Sequence, residues 1–129
     1  SSERSILEKQ PGINVVSGKE LQKFTFQMNE EELKELRDYN NEMLDKLFEM
    51  AKDYDMLVLD ESVYSIDKDL LDEAKLIEHL EKKPFALEVV LSGRNPSERL
   101  IDHADYVSEI RKVKHPFDQG ISSRIGIEM

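Results

Sequence analysis

Two adjacent carboxylates, Asp60 and Glu61, close a short apolar run in "MLVLDE". A carboxylate at a buried strand end can bind Mg²⁺ directly or through water, and Mg²⁺ commonly bridges protein carboxylates and substrate phosphates. The same pattern also serves helix capping or loop solvation. A second candidate is "SGRNPSE". Ser92 and Gly93 leave a strand end open to close approach, and Arg94 offers a planar fork for phosphate oxygens. Taken singly, it reads more simply as a strand-to-helix turn with a surface arginine. "KVKHPFDQG" packs Lys112, Lys114 and His115 into four residues of an acidic chain. Such a cluster can attract a polyphosphate, or it can be a solvated strand end. "KFTFQMN" reads as extended or looped; Phe24 and Phe26 flank Thr25, and alternation in an extended segment puts both rings on one face. They suit the lining of an apolar pocket, with core packing as the default. His79 reads as a surface residue and His103 as a loop residue. No Ser-His-Asp order, HExxH pair or nucleophile elbow is present.

The elements around these residues must bring them together. Residues 30–52 repeat Leu33, Leu36, Met43, Leu44, Leu47, Phe48 and Ala51 at helical spacings, with charged residues between. Asn29 stands where a cap belongs, and Glu30, Glu31 and Glu32 suit the positive end of the helix dipole. "MLVLD" reads as a strand buried on both faces, because every position before the acid is apolar. A second amphipathic helix is predicted over 70–82, a strand over "ALEVVLSG", a short helix over "NPSERLIDHA", and a last alternating strand over "DYVSEIRKV". Upstream, "SERSILEKQPG" reads as a helical turn stopped by Pro11-Gly12 and "INVVSG" as a brief strand. Helices alternating with apolar strands predict a layered α/β domain with a mainly parallel sheet. In such sheets ligands bind beyond the carboxyl ends of the strands. Asp60-Glu61, Ser92-Gly93-Arg94, and Glu109 running on to Lys114-His115 would then converge on one crevice.

Bulk properties narrow the function classes. The chain has 129 residues, suited to one domain over 1–129. Its net charge of −10 opposes nucleic acid and anionic membranes, so any bound anion must be held locally. The apolar runs are too short to span a bilayer. There are no cysteines, which removes disulfides and thiolate metal sites and fits a reducing, cytoplasmic setting.

Read in order, "MLVLDE", "LLDEAKLIEHLEKKP" and "LEVVLSGRNPSERLIDHADYVSEIRKVKHPFDQGISSRIGIE" closely resemble the P-loop type of ATP:corrinoid adenosyltransferases. The likeness covers nearly the whole chain and is strongest over 56–128; "SGR", "ADYVSE", "KHPFD.G" and "GIE" together carry it. "PGINVV" and "KFTF" look like the family's segment between its second strand and its long helix. The resemblance implies a three-layer sandwich of the RecA-like P-loop NTPase type and an enzyme of cobalamin biosynthesis. Such an enzyme transfers the 5′-deoxyadenosyl group of ATP to Co(I) of a corrinoid, with triphosphate leaving and Mg²⁺ neutralising its charge. By this match the acidic pair ends the Walker B strand, Glu61 is a Mg²⁺ ligand and Asp60 lies in or next to the metal shell. Arg94 in the "SGR" turn contacts phosphate, and Phe24 and Phe26 pack beside the corrin ring. A reductase supplying Co(I) is implied as a partner, and dimers are common in the family.

One part of the family pattern has no counterpart in these 129 residues. The Walker A loop of the "GxGKGKT" kind, with its phosphate-cradling amides, lysine and Mg²⁺-binding hydroxyl, is not in the sequence. Residue 1 resembles a point after the family's second strand, so the chain is expected to be truncated at its N-terminus relative to the family. A non-catalytic module that binds a corrinoid or nucleotide, and a structural α/β subunit, stand as alternatives to the enzyme.

Overall fold

The computed structural model describes Gly12 and residues 24–110. The chain divides into two units, Gly18–Val107 and a second formed by Ser1–Ser17 with Ser108–Met129. All elements named below belong to the first. "SERSILEKQPG", "INVVSG", Lys112, Lys114, His115 and the tail lie outside the described residues, apart from Gly12.

Helix α1, Glu30–Met50, forms where the apolar period predicts it. Its start is fixed by a reciprocal pair of bonds: Asn29 Oδ1 accepts from the Glu32 amide at 2.8 Å, and Glu32 Oε1 accepts from the Asn29 amide at 3.3 Å. Glu30, Glu31 and Glu32 occupy the first turn, facing the positive end of the helix dipole. Leu36, Leu44 and Phe48 form its buried stripe. A 3-10 turn, Ala51–Asp53, then leads to strand β1, Met56–Leu59.

From β1 the chain crosses to β2, Glu88–Leu91, through two helices, α2 (Ser62–Asp67) and α3 (Glu73–Lys82). Asp72 caps α3 by accepting from the Ala74 and Lys75 amides. The strands pair in parallel, with Met56 opposite Glu88 and Leu59 opposite Leu91. Helix α4, Glu98–Asp102, follows, capped by Ser97, whose hydroxyl accepts from the Leu100 amide and donates to Glu73 of α3.

One core unites these pieces. Leu44 and Phe48 of α1, Leu59, Val63, Leu71, Leu76, Ile77 and Leu100 are buried together, with Leu57, Val89 and Leu91 packed against them. The inward positions of both strands thus alternate with outward ones. Met56, Val58 and Val90 face outward and are exposed. This corrects the reading of "MLVLD" as buried on both faces. An all-apolar strand is ordinarily covered twice, but the helical residues of this core meet only one face of the described sheet. The α/β class with a parallel sheet holds, in two strands among the described residues.

Two further differences have simple causes. The predicted strand over "DYVSEIRKV" has no ladder over its described part, residues 105–110, where Tyr106, Val107 and Ile110 are exposed. Alternation alone makes no strand without a partner for its backbone groups, and β1 and β2 pair only with each other among the described residues. The helix over 70–82 begins at Glu73 instead, because Leu70 and Leu71 enter the core from the preceding loop. Among the described residues, no helix is long and apolar enough to cross a membrane.

Candidate functional site at the strand ends

The parallel register ends both strands at the same level, so the residues after Leu59 and after Leu91 are neighbours. A serine makes the junction. The Ser92 hydroxyl donates to Asp60 Oδ1 at 2.8 Å and accepts from the Glu61 amide at 3.0 Å. The Ser92 amide donates to the Leu59 carbonyl at 3.4 Å, and its carbonyl accepts from the Val63 amide at 3.1 Å. Two of the three predicted strand ends are therefore joined through side chain and backbone. The third predicted end runs from Glu109, which belongs to the other unit, to Lys114 and His115, which lie outside the described residues.

The local backbone is unusual on both sides of the junction. Glu61 adopts a left-handed conformation, φ 59° and ψ 17°, at the start of α2, and its side chain makes no capping bond. Ser62 is buried and turns its hydroxyl back to the Leu59 carbonyl at 2.8 Å. Across the junction, Gly93 has φ 142° and lies hard against α2: a Cβ there would sit 2.7 Å from the Tyr64 amide nitrogen and 2.8 Å from Val63 Cβ. Only glycine fits this approach. Arg94 and the left-handed Asn95 follow at the surface. Asp60, Glu61 and Arg94 are all exposed.

This arrangement presents hard oxygen donors at a strand end. Among the described residues no group of three or more His, Cys, Asp or Glu could hold a metal ion. Two adjacent carboxylates beside a serine hydroxyl nevertheless fit Mg²⁺, which is commonly bound through one or two carboxylates and completed by water and substrate phosphates. They do not fit a soft metal, which needs thiolate or imidazole.

The aromatic pair differs from its expected form. Thr25–Gln27 is a 3-10 turn rather than an extended segment, closed by the Gln27 side chain accepting from the Phe24 amide at 3.1 Å. The rings of Phe24 and Phe26 stack at 5.5 Å with an interplanar angle of 6°. They are 69% and 83% exposed, so they are not core residues. Together they offer a flat apolar surface.

Sequence reasoning missed a polar cluster between α1 and α3. Asp45 pairs with Lys75 Nζ at 2.7 Å and with His79 Nε2 at 2.6 Å, while the His79 ring stacks on Phe48 at 4.5 Å. Hydrogen bonds from Lys75 and then His79 hold the Asp45 carboxyl below the usual aspartate range. His79 is thus a packing residue, not a bare surface one; the four-residue step from Lys75 to His79 was the available signal. His103 closes α4, its Nδ1 lying 2.8 Å from the Arg99 carbonyl oxygen.

Comparison with known proteins gives this geometry a setting. The sequence model of the family described as ATP:corrinoid adenosyltransferase BtuR/CobO/CobP matches residues 1–129. A corrinoid adenosyltransferase of Sinorhizobium sp is 40% identical over 93 residues, which cover 67% of this chain and 44% of that protein. The corrinoid adenosyltransferase of Escherichia coli K12 is 38% identical over 74 residues, 57% of this chain and 38% of its own length. Corrinoid adenosyltransferase CobA of Salmonella typhimurium is 40% identical over 74 residues, again 57% of this chain and 38% of its own length. The chain covers less than half the length of these relatives. With its whole length matched, the chain belongs to the ATP:corrinoid adenosyltransferase BtuR/CobO/CobP family.

Proposed function

We propose that this chain carries the strand-end part of the active site of an ATP:corrinoid adenosyltransferase. The substrates are ATP and a corrinoid, cobalamin or a precursor, whose cobalt arrives as Co(I) from a reductase. The cobalt lone pair forms the Co–C5′ bond as the C5′–O bond breaks, and that electron pair leaves on the triphosphate. Cobalt becomes formally Co(III), so the electrons balance without another oxidant. The setting is the cytoplasm, the assembly a homodimer, and the complete fold a three-layer RecA-like P-loop sandwich.

In this reading Glu61 and Asp60 are the acids that hold Mg²⁺, which would neutralise charge on the leaving triphosphate. Gly93, seated against α2, turns the chain so that Arg94 donates to phosphate oxygens. Lys114 and His115 add positive charge for the polyphosphate against the chain's overall negative field. Phe24 and Phe26 pack beside the corrin ring. Their flat, exposed stack suits that task, and an apolar neighbour there would keep a lower axial ligand off cobalt and ease its reduction.

The observation that carries this reading is the junction itself: parallel strands in register bring Asp60 and Glu61 against Ser92, one residue from Gly93 and two from Arg94. The test is formation of a light-sensitive Co–C bond from ATP, Mg²⁺ and chemically reduced corrinoid, with triphosphate as co-product. It is run on the 129 residues and on the chain extended upstream by a Walker A segment of the family. Turnover is expected from the extended chain. Corrinoid binding by calorimetry with no triphosphate release from either would instead mark a binding module.

A further inference from the structure

We propose that Ser92 is a positioning residue for the acidic pair, acting through Asp60 and Glu61 rather than on the ligand. The proposal rests on the nucleotide-site reading above. A serine hydroxyl has one proton to donate and two lone pairs to accept with. Here the proton goes to Asp60 Oδ1 at 2.8 Å, and one lone pair takes the Glu61 amide at 3.0 Å. A phosphate oxygen, itself an acceptor, finds no donor left on this side chain.

The same contacts explain how two exposed acids acquire a defined geometry. Asp60 Oδ1 is held while Oδ2 makes no other hydrogen bond among the described residues. Glu61 stands at φ 59°, a region disfavoured for a residue with a Cβ, and its own side chain caps nothing. Its amide is fixed by the Ser92 hydroxyl, leaving the carboxylate uncommitted to the fold. Ser92 is itself immobilised by its backbone bonds to Leu59 and Val63 and by the tight seat of Gly93 on α2. The chain of support runs from the ladder of β1 and β2, through one hydroxyl, to the carboxylates. Partners of this kind behind metal-binding groups set affinity as strongly as they set orientation.

The experiment compares the 129-residue chain with its Ser92→Ala and Ser92→Thr variants by nuclear magnetic resonance. Two readouts are taken: hydrogen exchange at the Glu61 amide, and broadening of the Asp60 and Glu61 signals by added Mn²⁺. In Ser92→Ala, Glu61 exchange is expected to quicken about tenfold, and the Mn²⁺ response to weaken about tenfold or more. Exchange in α1 should stay unchanged, and Ser92→Thr, which keeps a hydroxyl, should restore both readouts. Unaltered Glu61 exchange and Mn²⁺ response in Ser92→Ala would overturn the positioning role. So would a Ser92→Thr variant that behaves like Ser92→Ala, even if the alanine variant folds poorly. Wild-type broadening at Asp60-Glu61 no greater than at the Glu30–Glu32 turn would overturn the metal-site reading itself, and the positioning role with it.

Discussion

Glu61 pairs a functional assignment with a backbone cost. A left-handed conformation costs an L-residue roughly 1–2 kcal/mol, a penalty glycine escapes. Part of that relief is offset by the larger freedom of glycine in the unfolded chain. Glu61→Gly is therefore expected to stabilise the protein by about 0.5–1 kcal/mol in urea denaturation while abolishing the Mn²⁺ response at the strand end. A variant that loses stability would mean that the glutamate side chain supports the fold. Gly93 is the opposite case. Its φ of 142° and the 2.7 Å that would separate a Cβ from the Tyr64 amide leave no room for alanine. Gly93→Ala should cost about 2–4 kcal/mol by the same measurement, from steric displacement of α2 and backbone strain. Neither feature could be read from "LDES" or "LSGR" as letters. The sequence exposed the residue types at the strand ends; the left-handed turn at Glu61 and the close approach of α2 that only a glycine at 93 allows belong to the fold.

At the scale of elements, α1 does more than cover the core. Arg37 Nε donates to the Asp69 carbonyl at 2.6 Å, Asn40 Nδ2 to the Leu70 carbonyl at 2.9 Å, and Asn41 Oδ1 accepts from the Asp72 amide at 2.9 Å. These polar residues grip the loop that launches α3, and Asp45 continues the contact to Lys75 and His79 on the helix itself. The sign of the resulting pH dependence follows from the depressed Asp45 carboxyl. A folded value below the unfolded one contributes stability above the unfolded value, near 4, and loses it as pH falls through the folded value. Asp45→Asn should accordingly lower stability at neutral pH by under about 1 kcal/mol, since half-exposed pairs are screened. It should also flatten the decline of stability below about pH 4, as followed by urea denaturation across pH. The apolar stripe of α1 and its Asn29 cap were legible because period and cap chemistry are local. Its grip on the loop was not, since Arg37, Asn40 and Asn41 meet partners some thirty positions away. Helix α2 was missed for a related reason: Ser62–Asp67 is too short to show a period, and it starts from a left-handed residue rather than a side-chain cap.

The whole molecule turns on how many layers enclose the sheet. A parallel ladder is ordinarily covered on both faces, and "MLVL" has the unbroken apolar composition of a strand so covered. In the described residues only the face of Leu57, Leu59, Val89 and Leu91 joins the core, while Val58 is 56% exposed. The proposed three-layer fold would place further chain over Met56, Val58 and Val90, and the family relatives are more than twice the aligned length. Stability measurements separate the two situations. In the 129-residue chain Leu59→Ala should cost about 2–5 kcal/mol, and Val58→Ser less than about 0.5 kcal/mol, as for an exposed position. In a chain carrying the remaining length of the family, the same Val58→Ser should cost about 1–3 kcal/mol, because a hydroxyl would then replace methyl groups in a packed layer. Equal, negligible costs in both chains would leave this sheet with one covered face and remove the three-layer proposal. The acids at the end of β1 would then sit at the margin of an open sheet, where solvent competes for the magnesium ion and the triphosphate.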